Sequence, residues 1–134
     1  MRRMNRAASV VAGIAALVLG ASTQAYASAD SGWVYTDNKG GKAYFDADVK
    51  SGNKEKVTVC DLKTNNRAVK VEFYLTGGGD GADSPIHTLV DKDNDGKCVS
   101  KSYNWFGEER DVTIAVLEYH GSKTYNMNFG HATS

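Results

Sequence analysis

The sequence predicts an all-β fold, a single antiparallel β-sandwich, immunoglobulin-like or jelly-roll-like, of about seven to eight strands with one disulfide. Three observations carry this. Val69, Val71, Phe73 and Leu75 recur at every second position with Lys70, Glu72 and Tyr74 between them, the pattern of a half-buried strand. Similar runs are punctuated by clusters of Gly, Asn, Asp and Ser every eight to twelve residues or so, and no helix-period segment follows the N-terminal region. The only two cysteines, Cys60 and Cys98, each fall in a strand-like run.

The N-terminal segment reads differently. Arg2, Arg3 and Arg6 precede the apolar run Ala7–Leu19, and small residues then end in Ala25-Tyr-Ala27 and Ala27-Ser-Ala29. A basic start, an apolar stretch and an A-x-A site in that order describe a secretory signal peptide, residues 1–29, with cleavage after Ala27 or after Ala29. Ser22, Thr23 and Gln24 end the apolar run short of the roughly 20 residues a spanning helix needs. The expectation is a secreted chain with no membrane segment after cleavage, followed by one domain over residues 30–134. Losing the three arginines takes 16 basic residues to 13 against 16 acidic ones, a net charge of −3. An acidic chain without a Lys/Arg cluster lacks the footprint of a nucleic-acid binder.

The strands follow in order. Trp33–Tyr35 is a short first strand, with Trp33 expected in the core, and Asn38–Gly41 is a turn whose glycines accept positive φ. Ala43, Phe45, Ala47 and Val49 alternate inward along the second. Ser51–Lys54 turns the chain into Val57–Leu62, and Lys63–Arg67 turns it again into Ala68–Leu75. The loop Thr76–Pro85 has four glycines in ten residues. Ile86–Val90 and Lys97–Tyr103 are expected to form a hairpin around Asp91–Gly96, because Asp-Gly suits such a tip. Trp105–Glu109 is a loop containing Phe106, the other expected core aromatic. Asp111–Tyr119 is apolar on both faces, as a central strand is. His120–Lys123 turns into Thr124–Phe129, with Tyr125, Met127 and Phe129 expected inward.

Gly41-Lys-Ala-Tyr-Phe45, Val57-Thr-Val-Cys-Asp61 and Asp95-Gly96 together resemble the small exported β-sandwich proteins common in actinobacteria, over roughly Trp33 to Tyr119. The resemblance implies export and a sandwich fold. It brings no activity and no catalytic residues.

Three groups of residues invite a chemical reading. In an exported chain Cys60 and Cys98 form a disulfide, structural because no C-x-x-C spacing exists. Asp91, Asp93 and Asp95, followed by Gly96, reproduce the first half of a calcium loop, but position twelve is Ser102 where a bidentate Glu is needed. Such acids equally cap the backbone N–H groups of their own turn, and Asp61, beside Cys60, could join them. Calcium is therefore the one cofactor the sequence raises. Tyr44, Tyr74 and Trp105 are candidates for a stacking surface, since outward aromatics on a sheet can meet a sugar ring or a partner protein.

Catalytic patterns are missing from the sequence. His87, His120 and His131 are scattered, no G-x-S-x-G or H-E-x-x-H is present, and adjacent Glu108 and Glu109 point apart in an extended loop. The functional expectation is an exported non-catalytic module that binds an extracellular protein or polysaccharide. The alternatives are a calcium-stabilised carbohydrate- or wall-binding domain, a protease inhibitor acting through Thr76–Pro85, and a hydrolase.

The disulfide supplies the first test. The exported chain should weigh two hydrogens less than its reduced form, and peptides containing Cys60 and Cys98 should separate only on reduction. Two thiols freely alkylated in the native protein would contradict the pairing.

Overall fold

Alternation decides which side chains leave water, and every run read from it becomes a strand in the computed structural model, which describes residues 28–49, 54–76, 84–107 and 109–134. Residues 1–27, most of the stretch expected to be a signal peptide, residues 50–53, most of the Thr76–Pro85 loop and Glu108 lie outside the described residues. The strands are β1 (Trp33–Tyr35), β2 (Gly41–Val49), β3 (Lys54–Asp61), β4 (Ala68–Leu75), β5 (His87–Asp91), β6 (Cys98–Tyr103), β7 (Asp111–His120) and β8 (Lys123–Thr133). Among the described residues there is no helix, hence none long and apolar enough to cross a membrane.

Two antiparallel sheets of four strands form the sandwich, the first in the order β1-β2-β3-β6 and the second β5-β4-β7-β8. The chain crosses between sheets after β3, β5 and β6, so that β6 lies beside β3 and β7 beside β4. This interleaving is the Greek-key connectivity that immunoglobulin-like sandwiches use. It corrects one expectation. β5 and β6 are not a hairpin: β5 pairs with β4 and β6 with β3, and Asp91–Lys97 carries the chain from one sheet to the other. Asp-Gly fits that connection as well as it fits a hairpin tip, because Gly96 needs only its positive φ of 72°.

The core lies between the sheets. Ala43 and Phe45 from β2 and Val57 and Val59 from β3 face Val69, Val71 and Phe73 from β4 and Val112, Ile114 and Val116 from β7. Phe45, Phe73 and Phe106 pack with ring centroids 5.7 to 5.8 Å apart, distances at which aromatic rings attract. β7 is the central strand its composition predicts, with Ala115 and Leu117 buried on its outer side as well. Cys60 and Cys98 lie directly opposite each other on β3 and β6 and are bonded, with Cα atoms 4.2 Å apart. The closed loop has a sequence separation of 38, which restricts the unfolded chain by roughly 4 kcal/mol in the loop-entropy model.

Two strands face the other way from expectation. In β1, Val34 pairs with Ala43 and enters the core, which turns Trp33 and Tyr35 to solvent. In β8, Gly130 and Ala132 pair with Ile114 and Val112 and so share the inner face, while Phe129 is 56% exposed and Met127 also points out. The cause is the nearness of β1. A Cβ on Gly130 would lie 2.4 Å from Val34 Cγ2, so only glycine fits where β1 lies against β8. Large residues are therefore excluded from the inner face there, and Tyr125, Met127 and Phe129 do not line it together.

This close approach makes Gly130 a sensitive position. Gly130→Ala forces Val34 to move, and overpacking of this kind costs about 1–3 kcal/mol. Urea unfolding should show the loss as an earlier midpoint at unchanged slope; an unaltered midpoint would mean that β1 is not held against β8.

Candidate functional site

Tyr44 and Tyr74, the candidate aromatics on neighbouring elements, do not share a surface. Phe45 and Phe73 point into the core, so Tyr44 and Tyr74 project from the outer faces of different sheets. Trp105 is only 8% exposed. It packs on Phe73, His87 and Tyr103 at centroid distances of 6.2, 5.4 and 5.9 Å. Its backbone is fixed as well: the Trp105 N–H donates to Glu55 Oε2 at 2.8 Å, and the Trp105 carbonyl lies 2.7 Å from His87 Nε2. Trp105 closes one end of the core and is not a free stacking ring. Tyr74 donates to Glu72 Oε2 at 2.8 Å, and burial together with that carboxylate pushes its hydroxyl up to about 12.

Tyr44 instead belongs to a group the sequence reading did not assemble. Trp33 and Tyr35, two apart on β1, project beside Lys42 and Tyr44 of β2 because Trp33 pairs with Tyr44 and Tyr35 with Lys42. Trp33 is 44% and Tyr35 39% exposed. The Trp33 and Tyr44 rings are 5.3 Å apart, and Lys42 Nζ lies 4.0 Å from the Trp33 ring and 5.8 Å from that of Tyr35. An ammonium at such distances is attracted by the ring faces. Tyr44 is oriented by Asp30, whose carboxylate accepts from the Tyr44 hydroxyl at 2.7 Å and from the Ala47 N–H at 2.8 Å. That hydrogen bond, then burial and the charges of Asp30 and Asp46, raises the Tyr44 hydroxyl and keeps it a donor. On the same face Thr58, half-buried, and Ser100, exposed, share a hydrogen bond of 2.8 Å. The signal in the sequence was available: aromatics on both sides of Val34 in a three-residue strand must face opposite to it.

The three aspartates of the half calcium loop do not converge. Asp91 is buried and caps two backbone groups, Asp93 N–H at 3.1 Å and Asp61 N–H at 2.9 Å. Asp95 accepts from Lys97 N–H at 2.9 Å, which holds its carboxyl below the usual range, and Asp93 is exposed. Among the described residues no group of three or more His, Cys, Asp or Glu side chains is arranged to hold a metal. Asp61 does lie beside Asp91 through the backbone bond. Burial raises its carboxyl, and its Oδ2 has no protein partner.

The most heavily bonded carboxylate among the described residues is Glu118, which the sequence places inside an apolar strand. Its side chain is 1% exposed. It accepts from Asn126 Nδ2 at 2.7 Å, from Arg67 and Asn65 at 3.1 Å each, and from Asn38 Nδ2 at 3.2 Å. Arg67 in turn stacks 4.0 Å from the Tyr125 ring. No family model, curated protein or solved structure matches this chain. The site is therefore read from its own chemistry.

Glu118 makes a pH dependence. Burial alone would raise its carboxyl, but the hydrogen bonds from Asn126, Arg67, Asn38 and Asn65 outweigh it and hold the group below the ordinary glutamate value of 4.5. A lowered folded-state value stabilises the protein above the unfolded value, and that stabilisation is lost as pH falls through the folded one. Glu118→Gln should thus cost about 3 kcal/mol at neutral pH. The gap to the parent should narrow as pH drops below the ordinary glutamate value. A gap independent of pH in chemical denaturation would refute the ionised assignment.

Proposed function

We propose that the protein is an exported, non-catalytic binding module that holds a polysaccharide against the outer face of its first sheet. The observation that carries this is the exposure of Trp33 and Tyr35 on one face, beside Tyr44 and Lys42. Sugar rings present apolar C–H faces and a hydroxyl rim, so they are recognised by exposed aromatic rings flanked by hydrogen-bonding groups. Thr58, Ser100 and the Lys42 ammonium supply such groups next to the rings. Because the rings sit on strands, the surface is preorganised and loses little entropy on docking. Export is supported by the basic start, apolar run and A-x-A pattern of the first 29 residues, and the disulfide is consistent with an extracellular protein. The inhibitor reading would rest on Thr76–Pro85, most of which lies outside the described residues.

Affinity electrophoresis and depletion on insoluble polysaccharides test the proposal. Trp33→Ala and Tyr35→Ala should each cost about 2 kcal/mol or more of binding, as for a stacking hot spot. Phe129→Ala, which removes an exposed ring from the other sheet, should leave binding unchanged. Ligand should also shift the fluorescence of Trp33, the more exposed of two tryptophans. Equal retention of all variants, or no retention of the parent on any wall or plant polysaccharide, would refute it.

A further inference from the structure

At the end of the sandwich where Glu118 lies, three connections border a cleft of about 320 Å³. Asn66 and Arg67 come from the β3–β4 connection, Lys92 and Asn94 from the β5–β6 crossover, and Tyr119 and His120 from the end of β7. Among the described residues no acidic side chain lines it. In a chain that carries a net charge of −3 without its first three arginines, this local excess of cations is a departure from the whole. The cations are also not cancelled evenly. Arg67 is paired with Glu118, which together with the Tyr125 ring holds the guanidinium in place, whereas Lys92 makes no ion pair among the described residues. His120 Nδ1 lies 2.8 Å from the Asn66 carbonyl, so this nitrogen is the N–H donor and the ring's orientation is fixed. Asn66 itself has φ of 59°, the left-handed conformation that turns its carbonyl to His120.

We propose that this cleft binds an oxyanion, a phosphate or a carboxylate, carried on a small sugar. Arg67 and Lys92 supply positive charge and N–H donors to the anion, the side-chain amides of Asn66 and Asn94 supply neutral donors, the free Nε2 of His120 accepts from a sugar hydroxyl, and the Tyr119 ring meets the apolar face of the sugar. Charge-assisted hydrogen bonds from several directions are what an oxyanion with three or more acceptor lone pairs requires. The site is separate from the aromatic face of the first sheet, and it stands or falls independently of polysaccharide binding there.

Amide chemical shifts of the labelled protein report the cleft directly. Glucose 6-phosphate and glucuronate, titrated at constant ionic strength, should give saturable shifts at Asn66, Lys92, Asn94 and His120, and uncharged glucose should give none. Both Lys92 and His120 are exposed, so Lys92→Ala and His120→Ala should leave the rest of the spectrum in place and weaken binding about tenfold each. The two sugar ligands separate a phosphate site from a carboxylate site. Inorganic phosphate binding as tightly as glucose 6-phosphate would overturn the sugar component. Shifts that are absent, or equal in parent and both variants, would overturn the site.

Discussion

A carboxylate buried inside a sandwich must find donors or protonate, and Glu118 finds them in segments far apart in the chain. Asn38 lies in the β1–β2 turn, Asn65 and Arg67 in the β3–β4 connection, and Asn126 at the β8 irregularity where φ is 52°. Each is held by the same two oxygens. Gly40 completes the arrangement, because a Cβ there would lie 1.9 Å from Glu118 Oε1. Asn38 Oδ1 also accepts from the Gly40 N–H at 2.8 Å, so the turn is bonded to itself as well as to the carboxylate. With that turn fixed, β1 is set beside β2 and against β8, and its Trp33–Tyr35 face is displayed. Arg67 is placed by the same carboxylate at the rim of the basic cleft.

The opposite requirement is met at the other end. Glu55 and His87 hold the backbone of Trp105, whose ring covers Phe73 and shields the phenylalanine cluster from water. Between these polar ends the core is almost wholly aliphatic and aromatic, and the Cys60–Cys98 bond ties β6 to β3. The hydrophobic core fixes which face of each strand is inside, while the buried acids fix where the connections go. Asp91 shows the same division. Its side chain bonds the end of β3 to the crossover after β5, which ties the two sheets through a single carboxylate.

The strands were legible because a period of two is a local property, as in Val69–Leu75, and the disulfide was legible from the expected export and the count of two cysteines. What the sequence concealed depends on partners distant in the chain. Phe129 looks like a core residue until Val34 is seen to occupy the space beside Gly130. Trp105 looks like an exposed loop residue until Glu55, fifty positions earlier, is seen to anchor its backbone. Glu118 sits in Val-Leu-Glu-Tyr, and nothing local announces that donors 51 to 80 residues away will meet it. Of the candidate surface, Tyr44 was correctly turned outward, but its companions Trp33 and Tyr35 come from the strand whose facing was misread.

One buried carboxylate organises the loop end independently of the core. Amide hydrogen exchange of Glu118→Leu, a replacement of similar size that removes both carboxylate oxygens, examines it most directly. Exchange should accelerate at Asn38, Gly40, Asn65, Arg67 and Asn126, while the amides of Val57, Val71 and Val116 remain protected. Uniform acceleration across core and loops, or none at the loops, would contradict it.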